Sequence, residues 1–336
     1  MVKKTKIYKT FKIKSKHKNS IILIGNFDGV HLGHQKLFLL AKKYKKKSLS
    51  KIGVLTFEPM PKMFFNKKLK NFRISSLQQK ITNLKNLNVD FIICKKFDKK
   101  FSKIKSTFFI KEILAKKLSP KFIFVSNNFR FGNKREGDVK QLIKFENSCG
   151  YKVVKPEPLL INQRTASSTL VRNLLQKGNL EKANKILNKN WSIEGKVQKG
   201  RQLGKKIGFP TANIDIKDYV LPNTGVYAVE VKRHGGKNYL KGIANIGFRP
   251  TFNGKKILLE VHLFNFSGNL YNKHLTVKFK KFIRKEKKFK NVDQLRKQIK
   301  IDLMKAKKIK WANPKSTYLK QLFPWRQIYQ QGNLKS

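Results

Sequence analysis

The stretch GNFDGVHLGH, residues 25–34, decides how the first half of the chain folds. It follows directly on the apolar run Ile21-Ile22-Leu23-Ile24 and leads into a helical spacing of apolar residues at Leu37, Leu40 and Ala41. A short β-branched run, a turn rich in Gly and Asp, and a helical pattern together make a strand-loop-helix unit. Such a unit aims free backbone N–H groups and the positive end of a helix dipole at whatever lies above the loop, which suits phosphate. Glycine lets a ligand approach the backbone closely. His31 and His34 are three positions apart, so at the first helical turn they share a face and can both donate to one anion.

Two isolated histidines at this spacing are more often a surface pair or a capped helix start. Here they follow an apolar strand and a Gly-flanked Asp28 at fixed spacing, which favours the functional reading. The loop is neither GxxxxGKS/T nor GxGxxG. It resembles the HxGH signature of the nucleotidylyltransferase superfamily, in the version found in prokaryotic FAD synthetases. The resemblance implies that His31 and His34 stabilise the triphosphate of ATP while an alcohol or phosphate oxygen attacks the α-phosphorus and pyrophosphate leaves. Gly25, Phe27, Asp28 and Gly29 would bind the same nucleotide.

Upstream, residues 1–20 are lysine-rich and carry Tyr8, Phe11 and Ile13, which predicts an edge strand leading into the first core strand. Downstream, residues 52–57 read as a buried strand ending at Glu58-Pro59-Met60-Pro61, where two prolines force the chain out of the sheet. Residues 77–87 and 108–118 have helical spacing, and residues 91–94 and 122–125 read as strands. The alternation predicts a doubly wound, mainly parallel sheet, with ligand crevices at the strand ends. The strand ends TFEPMP, residues 56–61, and NNFRFG, residues 127–132, then lie on the same rim as GNFDGVHLGH. The second of these, with Arg135, Gly137 and Asp138, is similar to the family's second nucleotide and flavin loop, where Asn128 stands at a ligand-contacting position. At Met60 the family pattern FEPHP has His, so a donor is replaced by a thioether.

SSTLVR, residues 167–172, offers hydroxyl caps and an arginine one turn into a helix. It resembles the family's SSTxIR element, which implies that Ser168, Thr169 and Arg172 hold the triphosphate. Helical spacing continues over residues 174–187.

From Trp191 the pattern changes to strands at residues 193–197, 226–231, 239–246, 257–264 and 275–283, closed by a helix over residues 291–307. Consecutive strands with one terminal helix predict a small antiparallel barrel. Its densest stretch, GRQLGKKIGFPTAN at residues 200–213, reads as a flexible basic flap followed by an extended segment. There Pro210 fixes the backbone and Thr211 and Asn213 point the same way. A hydroxyl and an amide oxygen side by side suit a hard cation whose other ligands are waters and phosphate oxygens.

This segment resembles the GxxxGRxxGFPTAN signature of riboflavin kinase. The resemblance implies that Thr211 and Asn213 hold Mg²⁺ with ATP, and that Gly200, Arg201, Gly204, Lys205, Gly208 and Pro210 form the flap over the phosphates. Lys205 stands where the family has Arg, which keeps the charge and loses bidentate geometry. On residues 257–264, Ile257, Leu259, Val261 and Leu263 share one apolar face, leaving Glu260 and His262 on the other. A strand carboxylate of this kind is usually a structural ion pair; the resemblance makes Glu260 the general base. In residues 270–273 Asn272 stands where the family has Gly, and it tolerates the same left-handed backbone.

The chain has 336 residues, 26 of them Phe, enough for two ordinary cores. Lys and Arg total 78 against 18 Asp and Glu, a formal charge of +60. Because lysines are spread along the whole length with abundant Asn, Ile and Phe, compositional drift accounts for this better than a specific nucleic-acid partner does. No apolar run approaches the roughly 20 residues that span a bilayer, and no signal-peptide pattern is present, which predicts a cytoplasmic protein without a membrane partner. Cys94 and Cys149 suit reduced thiols.

The expected organisation is an α/β nucleotidylyltransferase-like, Rossmann-like domain over residues 1–173, a linker helix over 174–190, a small antiparallel β-barrel riboflavin kinase domain with a terminal helix over 191–310, and a tail at 311–336. The expected chemistry is that of the bifunctional riboflavin kinase/FAD synthetase family, with riboflavin, FMN and ATP as partners, Mg²⁺ as cofactor, FMN and FAD as products, and a monomer favoured.

Overall fold

The apolar runs at residues 21–24, 52–57, 91–94 and 122–124 become strands of a six-stranded parallel sheet. Across the sheet the order is Lys6–Tyr8, Phe91–Lys96, Ile52–Glu58, Ile21–Ile24, Phe122–Phe124 and Lys152–Val154. The computed structural model describes residues 5–200, 202–216, 218–236, 238–251, 254–309 and 311. These fall into two compact units, Met1–Leu69 with Leu77–Ser167, and Lys70–Ser76 with Ser168–Ser336.

Strand periodicity sorts the first unit's core into two clusters, one on each face of the sheet. Ile22, Ile24, Leu55, Phe57 and Ile93 pack with Ile110, Ile113 and Leu114 of one helical segment, whereas Ile21, Leu23, Val54 and Ile92 pack with Leu37, Phe38, Ile81 and Leu84 of others. Helices therefore cover both faces, as the alternation of strands and helices predicts. From Ile21–Ile24 the chain moves outward in one direction to Ile52–Glu58 and Phe91–Lys96, then returns to Phe122–Phe124 on the other side. The order reverses beside Ile21–Ile24, and such a switch point opens a crevice at the strand ends. The GNFDGVHLGH loop leaves the sheet at that crevice.

The edge strand forms at Lys6–Tyr8 and pairs with Phe91–Lys96, while Phe11 turns into the core. The helix expected over residues 108–118 differs from ordinary α winding: Phe109–Leu118 is π-helical, and the Ser119 N–H closes it on the Leu114 carbonyl at 2.8 Å. Its buried positions 109, 110, 113, 114 and 118 fit either winding, so periodicity does not separate the two.

In the second unit the continuous helix expected over residues 174–187 is instead two helices, Ser168–Gln176 and Leu180–Leu187. Gly178 adopts φ +74° between them, and the Gly178 and Asn179 N–H groups cap the Leu175 and Leu174 carbonyls at 2.9 and 2.8 Å, a glycine-based helix stop. Six antiparallel strands then close into a barrel in the order Ser192–Gln198, Ala212–Asp215, Gly254–Leu263, Leu240–Thr251, Gly225–Arg233 and His274–Lys285. One strand, Ala212–Asp215, lies inside the stretch that sequence patterning resolves only as extended. The terminal helix, Val292–Lys307, is N-capped by Asn291 and fastened to the barrel by Arg284, whose guanidinium lies 2.8 Å from the buried Asp302 carboxylate. Asn272 has φ +63° in its turn, the left-handed backbone expected there.

Candidate active sites

The loop after Ile21–Ile24 departs from ordinary backbone at three positions, Phe27 (φ +49°), Gly29 (φ +79°) and Val30 (φ +48°). A β-branched residue in the left-handed region is strained, and such strain persists where surrounding structure over-determines it. Gln35 contributes by donating its amide to the Val30 carbonyl at 2.9 Å. His31 is the N-cap residue of the helix Leu32–Ser48, and its ring stacks on that of His34 with centroids 3.7 Å apart. The shared face expected from their spacing is thus realised at the positive end of a helix. Phe27 is wholly buried, its ring edge-on to His34 at 5.1 Å, so it supports the His34 imidazole from beneath the loop surface. Gly33 lies between His31 and His34 in sequence, and a Cβ there would meet the Ala166 carbonyl at 2.5 Å and the His31 ring at 3.2 Å. The backbone there passes too close to the Ala166 carbonyl for any side chain.

Two further segments leave the same rim. At the end of Ile52–Glu58, the Lys80 ammonium is buried and bonds the Phe57 carbonyl at 3.2 Å and the Glu58 carboxylate at 3.4 Å. Nothing in a helical lysine's sequence context distinguishes it from a solvated charge. Met60 is 3 % exposed at the position where the family pattern carries an imidazole. After Phe122–Phe124, exposed Asn128 accepts a hydrogen bond from Ser126 at 2.9 Å, Phe129 stacks on Phe131 at 5.5 Å, and Arg130 pairs with Asp138 at 3.3 Å.

Ser168, Thr169 and Arg172 lie in the first turns of Ser168–Gln176 and belong to the second unit. Thr169 is exposed, and Ser168 and Arg172 are half-buried. Arg172 donates its Nε–H to the Phe72 carbonyl at 2.8 Å and lies 3.7 Å above the Phe72 ring.

On the barrel, strand register places Asn213 opposite Glu260 and Glu260 opposite Asn245, a row of three polar side chains on one face. The rows on either side, Ala212, Val261, Ala244 and Ile214, Leu259, Ile246, are buried. Glu260 is half-buried, and Asn213 is 7 % exposed. Thr211 stands immediately before this strand, so two neutral oxygens adjoin one carboxylate, a donor set that fits a hard divalent cation sharing phosphate oxygens. No cluster of three or more His, Cys, Asp or Glu among the described residues competes for a metal.

The stretch expected as a flap folds into one helical turn, Leu203–Lys206, in which the Phe209 N–H closes on the Gly204 carbonyl at 2.7 Å. Gly204 packs against the Phe209 backbone, Gly208 has φ +86°, Lys205 is exposed, and Arg201 lies outside the described residues. His262 lies 2.9 Å from the Pro210 carbonyl, which can only accept, so Nδ1 carries the proton. His262 thereby ties the Glu260 strand to the segment bearing Thr211. Gly200 backs directly onto the Asn213 amide, where a Cβ would collide with it.

A sequence profile of the FAD synthetase family matches residues 13–170, and one of the riboflavin kinase family matches residues 187–310. A bifunctional riboflavin kinase/FMN adenylyltransferase of Buchnera aphidicola subsp. Schizaphis graminum is 41 % identical, the match covering 88 % of this chain and 96 % of that protein. The enzyme of the same description from Escherichia coli strain K12 is 39 % identical over 85 % of this chain and 91 % of its own. A crystal structure described as a macrolide-efflux protein from Streptococcus pneumoniae superposes with a TM-score of 0.79 at 28 % identity, covering 91 % of this chain and 99 % of that one. Among the described residues no helix is long and apolar enough to cross a membrane. With both profiles matched in order and about two-fifths identity over nearly the whole length of its relatives, the chain belongs to the bifunctional riboflavin kinase/FMN adenylyltransferase family.

Proposed function

We propose that the chain phosphorylates riboflavin to FMN on the barrel and joins FMN to AMP from a second ATP on the parallel-sheet domain, giving FAD and pyrophosphate. The observation that carries this is the presence in one chain of two separate polar constellations, each suited to one step. In the barrel, Glu260 accepts the proton of the ribityl hydroxyl as it attacks the γ-phosphorus of ATP, and Thr211 and Asn213 hold Mg²⁺. When bound, the cation neutralises charge on the phosphates, while the Gly200 to Pro210 segment covers them. In the other domain, His31 and His34 donate to the triphosphate at the helix N-terminus. Gly25, Asp28, Gly29 and Asn128 complete that domain's nucleotide and flavin contacts. An FMN phosphate is already ionised at neutral pH and needs no base, whereas the neutral riboflavin hydroxyl does. The domains are residues 1–173 and 191–310, with 174–190 joining them.

The enzyme works as a monomer in the cytoplasm, in keeping with two cysteines that form no disulfide. Its +60 charge steers anionic substrates and gives only salt-sensitive, sequence-indifferent affinity for nucleic acids. The metal assignment is tested by Asn213→Ala. The Mg²⁺ concentration for half-maximal riboflavin phosphorylation is expected to rise at least fivefold, with that for FMN adenylylation unmoved. An unchanged Mg²⁺ dependence of the kinase step would remove Asn213 from the metal site.

A further inference from the structure

The strand that carries Asn213 meets the strand that carries Glu260 through a short ladder, in which Ala212 pairs with Val261 and Asn213 with Glu260. The ladder stops at Ala212. Thr211 lies just outside it, and Pro210 before that has no N–H with which to extend it. One more step of the same register sets Thr211 against His262, which shares a strand face with Glu260 two positions away.

Where the ladder ends, a side chain takes over. The half-buried His262 imidazole donates from Nδ1 to the Pro210 carbonyl at 2.9 Å. That carbonyl and the Thr211 nitrogen belong to one rigid peptide plane, so the bond restrains the backbone from which the Thr211 side chain springs. The same imidazole meets the Phe209 ring edge-on with centroids 5.6 Å apart. Phe209 in turn closes the helical turn Leu203–Lys206, its N–H donating to the Gly204 carbonyl at 2.7 Å. All of these residues belong to the second compact unit.

We infer that His262 is a positioning residue for riboflavin phosphorylation: its hydrogen bond to Pro210 holds Thr211 in register with Asn213, so that the hydroxyl and amide oxygens are set for a divalent cation before it binds. The inference rests on the proposed metal-binding role of Thr211 and Asn213. Mg²⁺ demands near-ideal octahedral geometry at short distances, which a ligand on a loosely held segment meets poorly. Groups that orient metal ligands without touching the metal are typically worth about 10- to 100-fold in metal affinity or activity. The role requires the Nδ1 donor, and the ring contact with Phe209 is incidental to it. FMN adenylylation uses none of these residues.

The test uses the full chain with His262→Phe, which keeps a ring beside Phe209 but has no donor, and His262→Asn, whose amide nitrogen stands where Nδ1 does but has no ring. His262→Ala, which needs no added room, is measured beside them. Mn²⁺, standing in for Mg²⁺, is titrated by electron paramagnetic resonance in the presence of ADP and riboflavin, and the Mg²⁺ dependence and kcat of each step are measured separately. His262→Phe and His262→Ala are expected to weaken Mn²⁺ binding, and to raise the half-saturating Mg²⁺ concentration for riboflavin phosphorylation, about tenfold, with FMN adenylylation unchanged. His262→Asn is expected to stay within threefold of the parent in both. Parental Mn²⁺ affinity in the variants without a donor, or a His262→Asn variant as weak as they are, would overturn the positioning role. A fall in kcat with metal affinity unmoved, or loss of both steps together, would overturn it equally. Thr211→Val separates the two levels of the claim: if it binds Mn²⁺ weakly while His262→Phe binds it normally, only the role of His262 falls. Parental Mn²⁺ affinity in Thr211→Val would instead refute the metal role of Thr211, and the inference with it.

Discussion

Glu260→Ala is expected to slow FMN formation from riboflavin by about 10² to 10⁴, the range typical of a lost general base, while supplied FMN is still converted to FAD. The expectation follows from where the carboxylate sits. Glu260 is half-buried on a strand whose alternate residues fill the barrel, so its position is set by core packing. Asn213 faces it across one strand pair and Asn245 across the other. Removing the carboxylate leaves the amides and the barrel intact but takes away the only acidic group in that row. Glu260→Gln would keep the volume and a hydrogen-bonding group without a base, and is expected to be as slow as Glu260→Ala. Recovery of activity in the Gln variant would mean that the side chain orients substrate and takes no proton. The measurement is single-turnover conversion of riboflavin to FMN.

His31→Ala is expected to lower the rate of FAD formation from FMN by about 10² to 10³, the usual effect of deleting one preorganised donor at a developing charge. Riboflavin phosphorylation should be nearly intact, so FMN accumulates. The ring belongs to a tight assembly: it stacks on His34, and its neighbour Gly33 is pressed between it and the Ala166 carbonyl. Circular dichroism and the retained kinase step separate loss of a donor from loss of the fold. A variant that is folded, phosphorylates riboflavin and still makes FAD at the parental rate would take His31 out of the reaction.

Much of this architecture can be read from short patterns because the signals are local. Ile21-Ile22-Leu23-Ile24 followed by Gly, Asp and His can be little else than a buried strand feeding a loop and a helix. The face carrying Glu260 shows in the alternation of Ile257, Leu259, Val261 and Leu263, all buried. What sequence pattern misses depends on distant partners or on small differences in winding. The π-helical Phe109–Leu118 has the same apolar spacing as an α-helix. The break at Gly178 was concealed because helical spacing resumes on its far side, although a glycine there is the one local hint of a stop. Phe72 lies 100 positions from Arg172, and the two meet only once Lys70–Ser76 is folded against the barrel. Lys80, a buried lysine tied to a strand end, is equally silent in sequence.

The claim that one chain houses two independent sites is tested most directly by chromatography of the flavins made from riboflavin, ATP and Mg²⁺ by Glu260→Ala, by His31→Ala, and by an equal mixture of the two. Glu260→Ala alone should leave riboflavin nearly unchanged, and His31→Ala alone should stop at FMN. The mixture should make FAD, since FMN released by one variant is a substrate for the other. A mixture of the two folded variants that yields no more FAD than either alone would contradict the account.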